Sequence, residues 1–314
     1  MSNDNQAEFT ASQHVLSAAI SLTRQHSKFT YYLACFLISS SIRQYYFTWY
    51  AYFRTVDDIA DTDNKSLKQK KIYLADQILA VDILYAGNDN YKSKKNIETE
   101  FLSHLIMWDK NNNKSRLRQP ILDLLLCIKY DVSRTGDTPD KEELEDYIRR
   151  EVTSYIVTLH NFCCPSEEFY NFEIIKAGIA GKWSHILRDL LLDLRQGIIN
   201  ISRQDIIGYN LDLAMISSKP EDVFLRQWVK SIVTVAEKNF AEGKRSLSHE
   251  NCLSYKIAIS LLCSKYETYL RRIKRKNYVL SAESEITSFN KVLNILNTAL
   301  DLSKLLLSHL RQKF

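Results

Sequence analysis

Apolar residues recur every three to four positions along nearly the whole chain, and polar, turn-forming clusters interrupt them at intervals. That period puts apolar side chains on one face of a helix. The pattern predicts helices over about 12–24, 29–38, 41–62, 66–86, 97–109, 117–134, 141–161, 168–179, 181–196, 203–213, 221–245, 250–276 and 284–312. The breaks read GNDNYKSKKN (87–96), DKNNNKSR (109–116), RTGDTPD (134–140), CPSEE (164–168) and SSKPED (217–222). Their Asn, Gly, Pro and Ser content suits loops between helices. No alternating stretch bounded by turns suggests a strand, and no fixed-period repeat or long linker stands out. The expectation is an all-α chain, one helical domain over 1–314, with the polar residues 1–11 as a disordered tail.

Composition supports long helices with few tight turns: 314 residues hold only 7 Gly and 4 Pro. The net charge of +5 is mild, and the basic residues are scattered apart from RRIKRK (Arg271–Lys276), which suits a phosphate or membrane-surface patch or simply a solvated face. No basic groove with interleaved aromatics is visible, which argues against nucleic acid as a partner. The six cysteines show no CxxC pair and no zinc spacing. The polar start MSNDNQAEFT does not read as a signal peptide, and no apolar run reaches the ~18 residues of a spanning helix. A cytoplasmic protein is expected, with peripheral membrane contact left open.

Two carboxylate clusters change the picture. On a helix over 41–62, Arg43, Phe47, Tyr50, Arg54, Asp57 and Asp61 step by three or four and share a face, with Asp58 beside it. It follows the most aromatic stretch of the chain, YYFTWYAYF (Tyr45–Phe53). Like charges one turn apart weaken a helix unless something compensates them. Pairing with Arg54 at a solvated helix end is one answer; Mg²⁺, which favours oxygen ligands and bridges carboxylates to phosphates, is the other. The second cluster lies in KWSHILRDLLLDLRQG (182–197), where His185, Asp189 and Asp193 step by four with Arg188 beside them, among leucines. Carboxylates so placed are costly unless paired or metal-bound. Two helices each bearing DxxxD could hold Mg²⁺ ions around a diphosphate and help it leave. Phe47, Tyr50 and neighbouring rings would then take the hydrocarbon end of the substrate, their faces favouring a carbocation, although most of the run also reads as ordinary core.

From about residue 27 to 291 the chain resembles the squalene/phytoene synthase family. FTYYLACFLISSSIRQYYFTWYAYFRTVDDIAD resembles its first signature, a Ser-Phe pair followed by a helix ending R-x-x-D-D-x-x-D. SHILRDLLLDLRQG resembles its second, N-I-L-R-D-x-x-x-D before an Arg-Gly pair, and YETYLRRIKRKNY (Tyr266–Tyr278) its C-terminal segment. The resemblance implies a class I isoprenoid synthase-type helical bundle with a central cavity. It implies two or three Mg²⁺ ions and farnesyl or geranylgeranyl diphosphate as substrate. Asp57, Asp61, Asp189 and Asp193 match its metal-linked carboxylates, expected to face one another across the cavity mouth. Thr30, Arg43, Arg54, Arg188 and, more weakly, Lys291 match diphosphate contacts, and Tyr266 matches a Tyr near that site.

The departures are specific. His185 stands where the family has a metal-binding Asn, suggesting an altered ligand or a general base. Lys182 stands where Gln is usual and is expected to meet the diphosphate. Ile198, Asn200 and Ser202 replace an Arg, a Tyr and a Pro, and Glu283 stands where Arg is common. Val152 and Thr153 replace a small Ala-Gly pair, which would narrow the cavity. The expected reaction is Mg²⁺-dependent, head-to-head coupling of two prenyl diphosphates. The alternatives are an aromatic or nitrogen acceptor, cyclisation of one prenyl diphosphate, or a non-catalytic subunit, which four retained carboxylates argue against.

Overall fold

The computed structural model describes residues 3–62, 64–87, 96–169, 171–216 and 218–281, with side chains from residue 13 onward; among them there are helices and turns but no strand. The helices are α1 (Asn3–His26), α2 (Lys28–Leu37), α3 (Ser40–Asp61), α4 (Leu67–Tyr85), α5 (Ile97–Asn112), α6 (Arg118–Ser133), α7 (Lys141–Cys163), α8 (Ile175–Arg195), α9 (Arg203–Gly208), α10 (Leu213–Ile216), α11 (Val223–Leu247) and α12 (Leu253–Arg275). The all-α expectation is met. None of the described helices is long and apolar enough to cross a membrane.

Three expectations are corrected. α1 starts at Asn3 rather than near residue 12, in a stretch with helix formers Gln6, Ala7 and Glu8 and no Gly or Pro before His26. Residues 168–196 do not form two helices. A 3-10 turn (Phe172–Ile174) leads into a single helix, α8, through both Gly178 and Gly181. The expected helix over 203–213 divides into α9 and α10, because the chain turns at Asn210, which takes a left-handed conformation (φ 52°). The helix expected over 284–312 lies outside the described residues.

The contacts group into two compact units, Met1–Ser133 with Val157–Glu168, and Arg134–Ile156 with Phe169–Phe314. In the first, α3 packs against α1, α2 and α5, and α4 against α6. Much of the aromatic run becomes its core: Tyr46, Phe47, Trp49, Tyr52 and Phe53 are all buried. Tyr45 stacks on Trp108 at 4.9 Å, and Trp108 on Phe162 at 5.4 Å. Rings at these separations add ~0.5–1.5 kcal/mol per pair beyond the area they bury. Ser27 caps α2 through the Thr30 N–H, and Ser66 opens α4 in a reciprocal capping box with Gln69.

In the second unit α8 is the central element, packed on α11 and α12. Its small residues permit the approach. A Cβ on Gly243 of α11 would lie 2.6 Å from Ala177 Cβ and 2.7 Å from Ala177 N. A Cβ on Gly181 would lie 3.3 Å from the ring of Tyr266 on α12, and one on Gly178 would lie 2.3 Å from Val152 Cγ1 on α7. Gly178, Gly181 and Gly243 are therefore points of close approach between neighbouring helices.

Candidate active site

The first carboxylate cluster forms as the spacing requires, in the last turns of α3. This end of a helix carries partial negative charge, so anions are least welcome there, and α3 has no basic residue in its last turn. Arg54 Nη1 lies 3.2 Å from Asp57 Oδ2, and its Nη2 donates to Asp58. Among the described residues Asp61 has no partner at bonding distance; Arg54 and Lys70 act on it through their fields. Burial, then the neighbouring Asp61, pushes the Asp57 carboxyl up to about 6. Burial also raises Asp61, and Asp131 of α6, which the sequence reading missed, adds like charge to both. Asp57, Asp58 and Asp61 face one guanidinium and one ammonium, which leaves negative charge uncompensated, and two carboxylates one turn apart are hard oxygen donors. A divalent cation fits that donor set.

The other residues of the first motif make contacts of their own. Arg43 sits on the C-terminus of α2: its Nε donates to Ala34 O (3.1 Å) and its Nη2 to Ile38 O (3.0 Å). Thr30 accepts from the Ser27 hydroxyl at 2.7 Å, and Ser27 also bonds the half-buried Tyr50. Phe47 is buried and stacks on Tyr31 at 5.5 Å.

The second cluster is equally local, on the last three turns of α8. Arg188 clasps Asp189 with two parallel bonds, Nε to Oδ1 (2.8 Å) and Nη2 to Oδ2 (2.7 Å), and His185 Nε2 lies 3.2 Å from the same Oδ2. Burial raises the Asp189 carboxyl, but the Arg188 bond and the charges of Arg188 and Lys182 outweigh it and leave the group below the usual carboxylate range. Burial first, then Lys182 and Arg188, holds His185 well below its ordinary value, so the ring is neutral at pH 7. Neutral imidazole is the form that ligates a metal. Tyr266 from α12 stands edge-on to it, with ring centroids 6.4 Å apart.

Lys182, one turn earlier, is not a bare cation. Its Nζ lies 2.5 Å from Glu151 Oε2 and 3.3 Å from the Tyr147 hydroxyl, both on α7. Glu151 and Tyr147 are one turn apart, which the sequence shows, but nothing in their spacing points to Lys182. Val152, the next residue, is buried with its Cγ1 over Gly178, so the space for its extra bulk comes from a missing Cβ on α8. Thr153 is half-buried beside it. Asp193 accepts from Asn200 Nδ2 at 3.3 Å. Lys291 and Glu283 lie outside the described residues.

Over residues 23–289 the chain matches the family model for squalene/phytoene synthase. Among solved structures it is similar to squalene synthase HpnC from Alicyclobacillus acidocaldarius, with TM-score 0.69 and 19% identity over 85% of this chain and 96% of that one. It is similar as well to a dehydrosqualene synthase in complex with ligand, at TM-score 0.69 and 19% identity, over 94% of this chain and 99% of that one. No curated protein sequence matches it.

Proposed function

Because the chain belongs to the squalene/phytoene synthase family and is thus a prenyltransferase, we propose that it acts with Mg²⁺ on two prenyl diphosphates, farnesyl or geranylgeranyl, and couples them head to head. The allylic C–O bond of the first breaks and its electron pair leaves with diphosphate. The allylic cation is then attacked by the double bond of the second, a proton is lost, and a cyclopropyl intermediate results. The uncompensated acids at the end of α3 carry this reading most directly. A bound divalent cation supplies Lewis-acid stabilisation of the departing diphosphate.

The chain's own groups do the rest. Asp57 and Asp61 would hold metal at the first motif, and His185, Asp189 and Asp193 would hold it at the second. Arg188, which also clasps Asp189, and Lys182 offer positive charge to diphosphate oxygens. Arg54, already bonded to Asp57 and Asp58, orients the first carboxylates. Tyr266 stands edge-on to His185. An imidazole held neutral by burial and by neighbouring cations favours the ligand role of His185 over that of a strong base. The extra bulk of Val152 is taken up over Gly178, so it does not by itself favour a non-prenyl acceptor.

The experiment is mass spectrometry of products after incubation with farnesyl or geranylgeranyl diphosphate and Mg²⁺. A C30 or C40 coupled product is expected. Cyclic products of a single prenyl chain, or transfer only to an added aromatic or amine, would replace this reading with one of the alternatives. No diphosphate release under any of these conditions would end it.

A further inference from the structure

Gly197, with φ at 77°, ends α8 in a tight reversal: the Ile198 N–H bonds back to Asp193 O at 2.8 Å and the Gly197 N–H to Leu194 O at 3.2 Å. This Schellman-type turn folds the following residues back beside the last turn of α8. Asn200 thereby comes against Asp193, buried, with its Nδ2 3.3 Å from Oδ2.

An Asn amide can face a carboxylate with either end, and only the nitrogen end is favourable. Arg134, also buried, settles the orientation. Its Nη2 donates to Asn200 Oδ1 at 2.6 Å and its Nη1 to Ile199 O at 2.6 Å, while its guanidinium lies over the Tyr147 ring at 5.4 Å. Guanidinium only donates, so the amide oxygen must turn toward Arg134 and the amide nitrogen toward Asp193. A carboxylate receiving such a bond is restrained in rotamer and kept as an acceptor, which is what a metal ligand requires.

We propose that Arg134 is a positioning residue for Asp193, acting through Asn200. The proposal rests on the reading of Asp193 as a metal ligand. Neither residue belongs to a DxxxD motif, and Asn200 is one of the positions where this chain departs from the family pattern. The two loops are also stitched by backbone, Gly136 N to Gly197 O at 2.7 Å and Arg203 N to Pro139 O at 2.9 Å, so the loop pairing does not depend on Asn200.

The test measures Mn²⁺ binding to the full chain, by electron paramagnetic resonance with inorganic diphosphate present, for wild type, Asn200→Ala, Arg134→Gln and Arg134→Lys. Loss of a partner behind a metal ligand typically weakens metal binding by about 10–100-fold. Asn200→Ala and Arg134→Gln should weaken at least one Mn²⁺ site to that extent, and the double variant should be little worse than either single one. Arg134→Lys, which keeps a charged donor, should recover most of the binding. In turnover, the apparent KM for metal should rise more than kcat falls. Folded Asn200→Ala and Arg134→Gln proteins that bind Mn²⁺ as wild type does would overturn the proposal. Should Arg134→Gln not fold, Asn200→Ala decides alone, since it leaves the Arg134–Ile199 bond in place. Wild type that binds no Mn²⁺ with diphosphate would overturn the metal reading itself, an outcome separate from equal binding by all variants.

Discussion

Asp57 is held up to about 6, against 3.8 for a free Asp side chain, chiefly by burial and by Asp61. A folded value above the unfolded one means that the folded state binds the proton more tightly. The stability this group contributes is therefore fully present below about 3.8 and is lost as pH rises through about 6. Metal-free protein should weaken across that interval in urea titrations, and Asp57→Asn should flatten the decline while abolishing diphosphate release. A variant less stable than wild type by the same amount at every pH would show that Asp57 is structural. Such residues are legible in the sequence because a helix converts spacing into a shared face. The Glu151–Lys182 pair is not, because its partners sit on different helices and only packing brings them together.

At the scale of elements, both carboxylate motifs occupy the C-terminal turns of their helices, where the backbone dipole opposes them. That placement was implicit in the loops after Asp61 and Arg195. The course of α8, a single helix through Gly178 and Gly181, was not, since the pattern predicted separate helices over 168–179 and 181–196. Glycine disfavours a helix by ~1 kcal/mol relative to alanine, but here its lack of a side chain is what lets α7, α11 and α12 approach. Gly243 on α11 shows the stakes. An added methyl would meet Ala177 N at 2.7 Å and Ala177 Cα at 3.0 Å, and backbone cannot rotate away. Gly243→Ala should therefore destabilise by ~1–3 kcal/mol, the usual cost of overpacking, despite its better helix propensity. A calorimetric midpoint equal to or above that of wild type would contradict this packing.

For the whole molecule, the uncompensated acids of α3 make ligand binding a stability term. Mg²⁺ with inorganic diphosphate should raise the unfolding midpoint, because a ligand at a hundred times its Kd adds about 2.7 kcal/mol. Mg²⁺ without diphosphate should do less, and Asp57→Asn and Asp189→Asn should each reduce the rise. An identical rise in both variants would place the ions elsewhere. The helical class was readable from the 3.6-residue period throughout. The division into two compact units was not, because α7 shows no break in its pattern where its contacts change at Ile156–Val157.

The seating of Val152 over Gly178 has a bearing on how such a chain can change over generations. Neither position is free to drift by itself. A methyl gained at Gly178 first collides with a stiff, branched neighbour, whereas bulk surrendered at Val152 first leaves only a hollow that a later Gly178→Ala can fill. The permitted route therefore has an order, trimming before filling, and lineages with a small residue at the one site should carry a larger one at the other.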